Sequence, residues 1–185
     1  MKLNKLIAIA TISLLSGGIS MAQKALNLED IVAGNIIQTK GIGSMTWLKD
    51  GERYSRLENN KQTGGTDIVA YRAKDNSREV IIPSSLLTDK STGRPIPVRS
   101  VSWSADNEKV LIYNNTRRVW RYDTRGDYWV LNLKDGALRQ LGKGMPESSM
   151  MFAKFSPDGT RVAYVSNNNI YVEDIDSGKI TQLTK

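Results

Sequence analysis

The sequence predicts an all-β protein, a partial β-propeller of about three four-stranded blades preceded by a signal peptide. Two features predict it. A unit of aromatic-x-x-Asp-Gly/Asn recurs at Trp47 to Gly51, Trp103 to Asn107 and Phe155 to Gly159, its aromatic residues 56 and 52 positions apart. Behind each copy lies a second hairpin of alternating strands. A period of this size marks a repeat whose unit is one supersecondary block, and four strands per repeat is the content of a propeller blade. An all-β sandwich also has hairpins, but it gives no reason for one unit to recur in register with a following hairpin.

Taken in order, the chain opens with Lys2 and Lys5, then an apolar run from Leu6 to Leu15, then Ser20-Met21-Ala22 before Gln23. Charge, short apolar core and small residues at −3 and −1 are the pattern of a secretory leader, so residues 1–22 are expected to be removed after Ala22. The apolar core is shorter than the ~20 residues a bilayer span needs. No other stretch approaches that length, so no membrane span is expected. The chain is expected to be exported, to the periplasm or beyond, in a Gram-negative bacterium. Residues 23–43 are a lead-in; Asn27-Leu28-Glu29-Asp30 starts a short helix, with Leu26, Leu28, Ile31 and Val32 as its apolar contacts.

Residues 44–185 are the partial propeller. In each repeat an aromatic residue ends a strand and seeks burial between blades, which makes Trp47, Trp103 and Phe155 core anchors. Asp-Gly or Asp-Asn supplies the positive φ of a tight turn, which makes Asp50, Asp106 and Asp158 turn residues. An alternating strand such as Arg161-Val162-Ala163-Tyr164-Val165 returns. The second hairpins pair Asp67–Tyr71 with Glu79–Ile82, Tyr128–Leu133 with Leu138–Leu141, and Ile170–Ile175 with Lys179–Leu183. Met145, Met150 and Met151 read as gap-filling core or loop. Three blades do not close a ring, since propellers carry ~4–8 blades. The chain therefore reads as the opening portion of something longer, with open blade edges through which it is expected to self-associate.

Composition narrows the chemistry. There is no Cys and no His among the 185 residues. Disulfides are thereby excluded, as is a transition-metal site built on thiolate or imidazole. The Asp residues lack calcium-loop spacing, and no cofactor is expected. A Ser-His-Asp triad needs an imidazole base, and no Gly-x-Ser-x-Gly elbow occurs; Gly41-Ile42-Gly43-Ser44-Met45 is out of pattern. The net charge of +7, from 26 Lys and Arg against 19 Asp and Glu, falls by two with the leader. Arg117, Arg118, Arg121 and Arg125 interleave with Trp120, Tyr122 and Tyr128, a pattern that suits stacking on nucleic acid. Export, modest charge and the interrupting Asp123 and Asp127 argue against that partner. Arg117, Arg118 and Arg125 read as solvated loop residues.

The segments Tyr113-Asn114-Asn115-Thr116-Arg117-Arg118-Val119-Trp120-Arg121-Tyr122, Gly126-Asp127-Tyr128-Trp129-Val130 and Ala153-Lys154-Phe155-Ser156-Pro157-Asp158-Gly159 carry a family likeness. So does Ala163-Tyr164-Val165 leading to Asn169-Ile170-Tyr171-Val172. The chain resembles the N-terminal propeller of the dipeptidyl peptidase IV family, in the prolyl oligopeptidase group, and most of all the forms exported by Bacteroidetes. The resemblance implies an eight-bladed propeller capping an α/β-hydrolase domain that removes dipeptides ending in proline or alanine. It implies that Arg121, in an insertion between strands, hydrogen-bonds a carbonyl of the bound peptide. The family's paired glutamates are absent, as no Glu-Glu pair occurs here. The expectation is a non-catalytic fragment, truncated before the catalytic domain, that serves gating and recognition of peptide N-termini. A peptide would be its partner only when the chain is joined to a hydrolase. The alternative is a free-standing periplasmic propeller that scaffolds a protein or ligand.

Overall fold

The structure, a computed structural model, describes residues 27–32, 41 and 43–185. The leader expected over residues 1–22 and most of the lead-in lie outside the described residues. The chain divides into two units, Met1–Gly41 and Ile42–Lys185. In the first, α1 spans Leu28–Val32, where the Asn27 start signal places it. Leu28, Ile31 and Val32, expected as its apolar contacts, are exposed, and Leu26 lies outside the described residues. A helix of little more than one turn has no room for an apolar stripe to cover anything.

In the second unit the described residues form three four-stranded antiparallel sheets and one small hairpin. The first sheet holds β1 (Thr46–Trp47), β2 (Arg53–Asn59), β3 (Thr66–Arg72) and β4 (Arg78–Ile82). A 3-10 turn at Ser84–Leu87 and the hairpin of β5 (Thr88–Asp89) and β6 (Arg94–Pro95) follow. The second sheet holds β7 (Ser100–Trp103), β8 (Lys109–Val119), β9 (Tyr122–Asn132) and β10 (Leu138–Gln140). The third holds β11 (Met151–Phe155), β12 (Arg161–Ser166), β13 (Asn169–Asp174) and β14 (Ile180–Gln182). Each sheet is a meander with strands in chain order, which is the build of a propeller blade.

The repeated unit repeats in geometry as well as in letters. The amides of Leu48, Ser104 and Ser156 donate to the carbonyls of Arg53, Lys109 and Arg161 at 2.9–3.0 Å. Gly51, Asn107 and Gly159 then take φ values of 69°, 60° and 66°, which glycine and asparagine accept most readily. Asp50, Asp106 and Asp158 each accept the amide of the residue two positions on. They are the turn residues the sequence predicts. The Arg53 guanidinium and nearby amides hold the Asp50 carboxyl down at about 2, and the Ser104 hydroxyl with the Glu108 amide does the same for Asp106. Ser156 holds Asp158 well below the usual carboxylate range.

Blades bury apolar faces against one another. Ile68, Ile82 and Leu87 of the first blade and its exit pack with Val110, Ile112 and Leu131 of the second. On the other side of the second blade, Leu111, Tyr128 and Val130 pack with Val162, Tyr164 and Ile175 of the third. The second blade is therefore covered on both faces, which is why β8 reads Val110-Leu111-Ile112 without alternation. In β12 the alternation survives, with Val162, Tyr164 and Ser166 buried and Arg161, Ala163 and Val165 less so.

Two of the three aromatic anchors hold. Trp103 packs against the first core cluster, and its indole donates across the blade boundary to Ser55 Oγ at 3.1 Å. Phe155 packs against the second cluster. Trp47 does not hold as a core anchor: it is 60% exposed, and its ring meets that of Tyr54 edge to face. The anchor position packs onto the preceding blade, and the described residues place none before Trp47. Met150 is buried in the second cluster and Met145 packs against it, as the gap-filling reading expects.

A buried carboxylate ties the second and third blades. Glu173 on β13, 1% exposed, accepts the Gly142 amide at 2.8 Å and the Tyr164 hydroxyl at 3.1 Å, and pairs with Arg139 at 3.2 Å. Glu173→Ala strands the buried Gly142 amide and Tyr164 hydroxyl and leaves the half-buried Arg139 without its partner, so it should cost about 3 kcal/mol. Tyr164→Phe leaves the other two contacts in place and should cost about 1 kcal/mol. Urea denaturation followed by tryptophan fluorescence checks the order; equal costs would deny Glu173 this role.

Candidate functional site

The resemblance points to Arg121 in an insertion between strands, and the structure places it at the tip of a long hairpin, between β8 and β9. Strands β8 and β9 run 11 residues each, past the rest of their sheet, and pair as far as Val119 with Tyr122. Trp120 and Arg121 are the two-residue turn at the tip. The stretch from Asn114 to Asp127 is rich in polar residues and lacks apolar alternation, so it reads as a loop. Its backbone ladder nevertheless makes it a hairpin.

Backbone and side chains together shape this arm. The ladder shifts register at Asn114/Arg117 and again at Arg117/Arg118, and such bulges bend a strand and re-aim its side chains. At the waist, Gly126 and Met150 exchange amide-to-carbonyl bonds at 3.0 and 3.1 Å. A Cβ on Gly126 would fall into the Tyr113 ring and 2.6 Å from the Asn114 carbonyl oxygen, so the close approach requires glycine. Beside it, Asp127, 6% exposed, accepts the Ser148 amide at 2.8 Å and the Asn115 side-chain amide at 2.7 Å. The same Asn115 amide reaches Glu147 at 2.7 Å, and Ser148 Oγ donates to the Asn115 carbonyl at 2.7 Å. The arm is thus clamped to the segment that leads into the third blade.

Above the waist a second brace acts. Tyr113 stacks on Tyr128 with ring centroids 4.7 Å apart, and its hydroxyl donates to the Asp123 carbonyl at 3.0 Å. Burial pushes the Tyr113 hydroxyl up to about 12, so it is a donor throughout the neutral range. Arg99, from the approach to β7, pairs with the Asp123 carboxylate at 3.2 Å. At the tip, Arg118 donates to the Arg121 carbonyl at 3.3 Å.

Arg121 is exposed, and its guanidinium has no hydrogen bond or ion pair to another described residue. Its five fixed donors are free for a carbonyl or carboxylate. Arg117, Arg118 and Arg125 are exposed as well, with Arg117 directly across the ladder from Arg125. That like-charged pairing costs a little stability. Among the described residues no group of His, Cys, Asp or Glu could hold a metal ion. The site offers hydrogen-bond donors and aromatic surface, and no nucleophile–base pair.

Sequence reasoning reached Arg121 and missed the residues that hold it: Arg99, Tyr113, Asn115, Asp123, Gly126 and Asp127. One signal was present. The first blade repeats the waist clamp, with Asp67 accepting the Ser84 amide at 2.7 Å and the Asn60 side-chain amide at 3.0 Å. An Asp opening an apolar strand in both Asp67-Ile68-Val69 and Asp127-Tyr128-Trp129 is the written trace of that device.

With the geometry in place, comparisons with known proteins locate the chain. Residues 104–185 match the family model described as the dipeptidyl peptidase IV N-terminal region. A probable dipeptidyl-aminopeptidase B of Aspergillus terreus is 26% identical over 179 residues, 92% of this chain and 19% of that protein. Its namesake in Chaetomium globosum is 31% identical over 85 residues, 46% of this chain and 9% of that protein. The crystal structure of Porphyromonas gingivalis dipeptidyl peptidase 4 superposes with a TM-score of 0.66 at 22% identity, covering 88% of this chain and 22% of that one. The chain spans about a fifth of the length of these peptidases or less.

The Arg99–Asp123 pair is partly exposed, so it should be worth about 0.5–1 kcal/mol. Asp123→Ala or Arg99→Ala should then speed tryptic cleavage at Arg118 and Arg121 by roughly two- to fivefold, since cleavage tracks the open population. Exchanging the charges, Arg99→Asp with Asp123→Arg, should restore the slower rate. Timed digestion read by mass spectrometry checks this, and no acceleration in either single variant would remove the brace from the account.

Proposed function

We propose, on the premise that this chain belongs to the N-terminal propeller region of the dipeptidyl peptidase IV family, that it is a non-catalytic peptide-recognition element. The family is one of dipeptidyl aminopeptidases. In this reading the blades form a rigid base, the β8–β9 arm projects from it, and Arg121 donates to a carbonyl of a peptide held by its free N-terminus. The observation that carries the proposal is Arg121 itself, at the tip of a doubly braced arm with its donors unengaged. A braced guanidinium loses little freedom on binding, which is what directed recognition of a carbonyl needs. The hydrolytic step would come from elsewhere, because this sequence has neither imidazole nor nucleophile elbow. Export belongs to the same proposal, with residues 1–22 as leader; N-terminal sequencing of the protein from a Gram-negative periplasm should begin at Gln23.

The test joins the chain to a family hydrolase domain, in place of the equivalent stretch of the Porphyromonas gingivalis enzyme. Arg121→Ala should lower kcat/KM on an Ala-Pro anilide by about 1.5–3 kcal/mol, the worth of a hydrogen bond to a charged group. Arg121→Lys should recover part of the loss, because an ammonium lacks the planar fork. Arg117→Ala should change little. Equal losses at Arg117 and Arg121 would mean a diffuse positive potential rather than a directed contact. The chain by itself should neither cleave the anilide nor label with a fluorophosphonate.

A further inference from the structure

Trp120 carries two costs that nothing among the described residues offsets. Its side chain is 94% exposed, so its apolar surface gains nothing from burial. Its φ is +61°, in the left-handed region that costs a bulky L-residue energy. The first position of a two-residue hairpin turn with positive φ is ordinarily filled by Gly or Asn. No described aromatic ring stacks on the indole, and the next ring along, Tyr122, is 73% exposed. Strain of this kind gathers at ligand contacts, where it is part of the mechanism.

We propose that Trp120 is a ligand-contact residue, whose indole face packs on an apolar side chain of the peptide that Arg121 takes by its carbonyl. The inference rests on the reading of Arg121 as a peptide donor. The occupant follows from the two chemistries side by side at the tip. A peptide offers a carbonyl to the guanidinium and a side chain to the ring within one or two residues. A purely anionic partner would use the arginines and leave Trp120 and Tyr122 without a role. The strained turn directs the ring of Trp120 and the fork of Arg121 from adjacent positions, so one ligand residue meets both.

The test uses the full chain and the tripeptide Ala-Pro-Ala with a free amino group as probe. Four tryptophans give four indole N–H resonances, and Trp120→Phe assigns the one that matters. On titration into the millimolar range, the Trp120 indole and the Arg121 Nε–H signals should shift together along one saturation curve. A shift at Arg121 without one at Trp120 overturns this inference and leaves the peptide reading standing. Shifts at neither overturn both. A Trp120 signal that moves with protein concentration and not with peptide means that a second copy covers the ring, which also overturns the inference.

Substitution supplies the second arm. Trp120→Gly and Trp120→Asn keep the left-handed turn while removing the ring, so each should raise the thermal midpoint and weaken tripeptide binding at least threefold. Trp120→Tyr should retain most of the affinity. Unchanged affinity in the Gly and Asn variants overturns the inference, whatever their stability.

Discussion

The architecture depends on buried carboxylates that accept backbone amides where the chain leaves a sheet. Asp67 takes the Ser84 amide on the way out of the first blade, and Asp127 takes that of Ser148 on the way into the third. Glu173 takes the Gly142 amide from the third-blade side of the same crossing. Burial makes the loss of either partner of such a bond expensive. Apolar packing draws one blade against the next without direction. These bonds fix where the connecting chain runs, and so how one blade sits on its neighbour.

The functional arm is a consequence of the same device. Between Gly142 and Met150 the chain is held from both sides, by Glu173 and by Asp127, and it then pairs with Gly126 in the waist of the β8–β9 hairpin. A long polar hairpin with no apolar face of its own would otherwise be marginal. Clamped at the waist, and braced above it by Tyr113 and the Arg99–Asp123 pair, it becomes a fixed projection. Arg121 and Trp120 gain their positions through contacts some 20 to 30 residues away along the chain.

This explains what the sequence makes legible and what it hides. Local chemistry is readable: Asp50-Gly51, Asp106-Asn107 and Asp158-Gly159 specify the same turn and form it, because hydrogen bonding and φ preference are decided within a few residues. Strand existence is readable wherever apolar residues mark a face, as in Val162 and Tyr164. Trp47 shows the limit, since an anchor is buried only if a neighbouring surface is there to meet it, and its own segment looks like the other two. The polar β8–β9 arm reads as an insertion because a ladder of backbone bonds leaves no pattern in side-chain hydropathy. Arg121 was reached through family likeness; Arg99 and Asp123, 24 positions apart, carry no local sign that they pair.

The claim that buried carboxylates fix the crossing between blades is tested most directly by amide hydrogen exchange. The Gly142 and Ser148 amides lie in connecting segments, where exchange is ordinarily fast, yet they donate to Glu173 and Asp127. Both should exchange as slowly as the central amides of β8 and β12, opening only when the blades separate. Exchange at the rate of solvent-exposed amides without a hydrogen-bond acceptor, with β8 and β12 still protected, would show that apolar packing alone joins the blades.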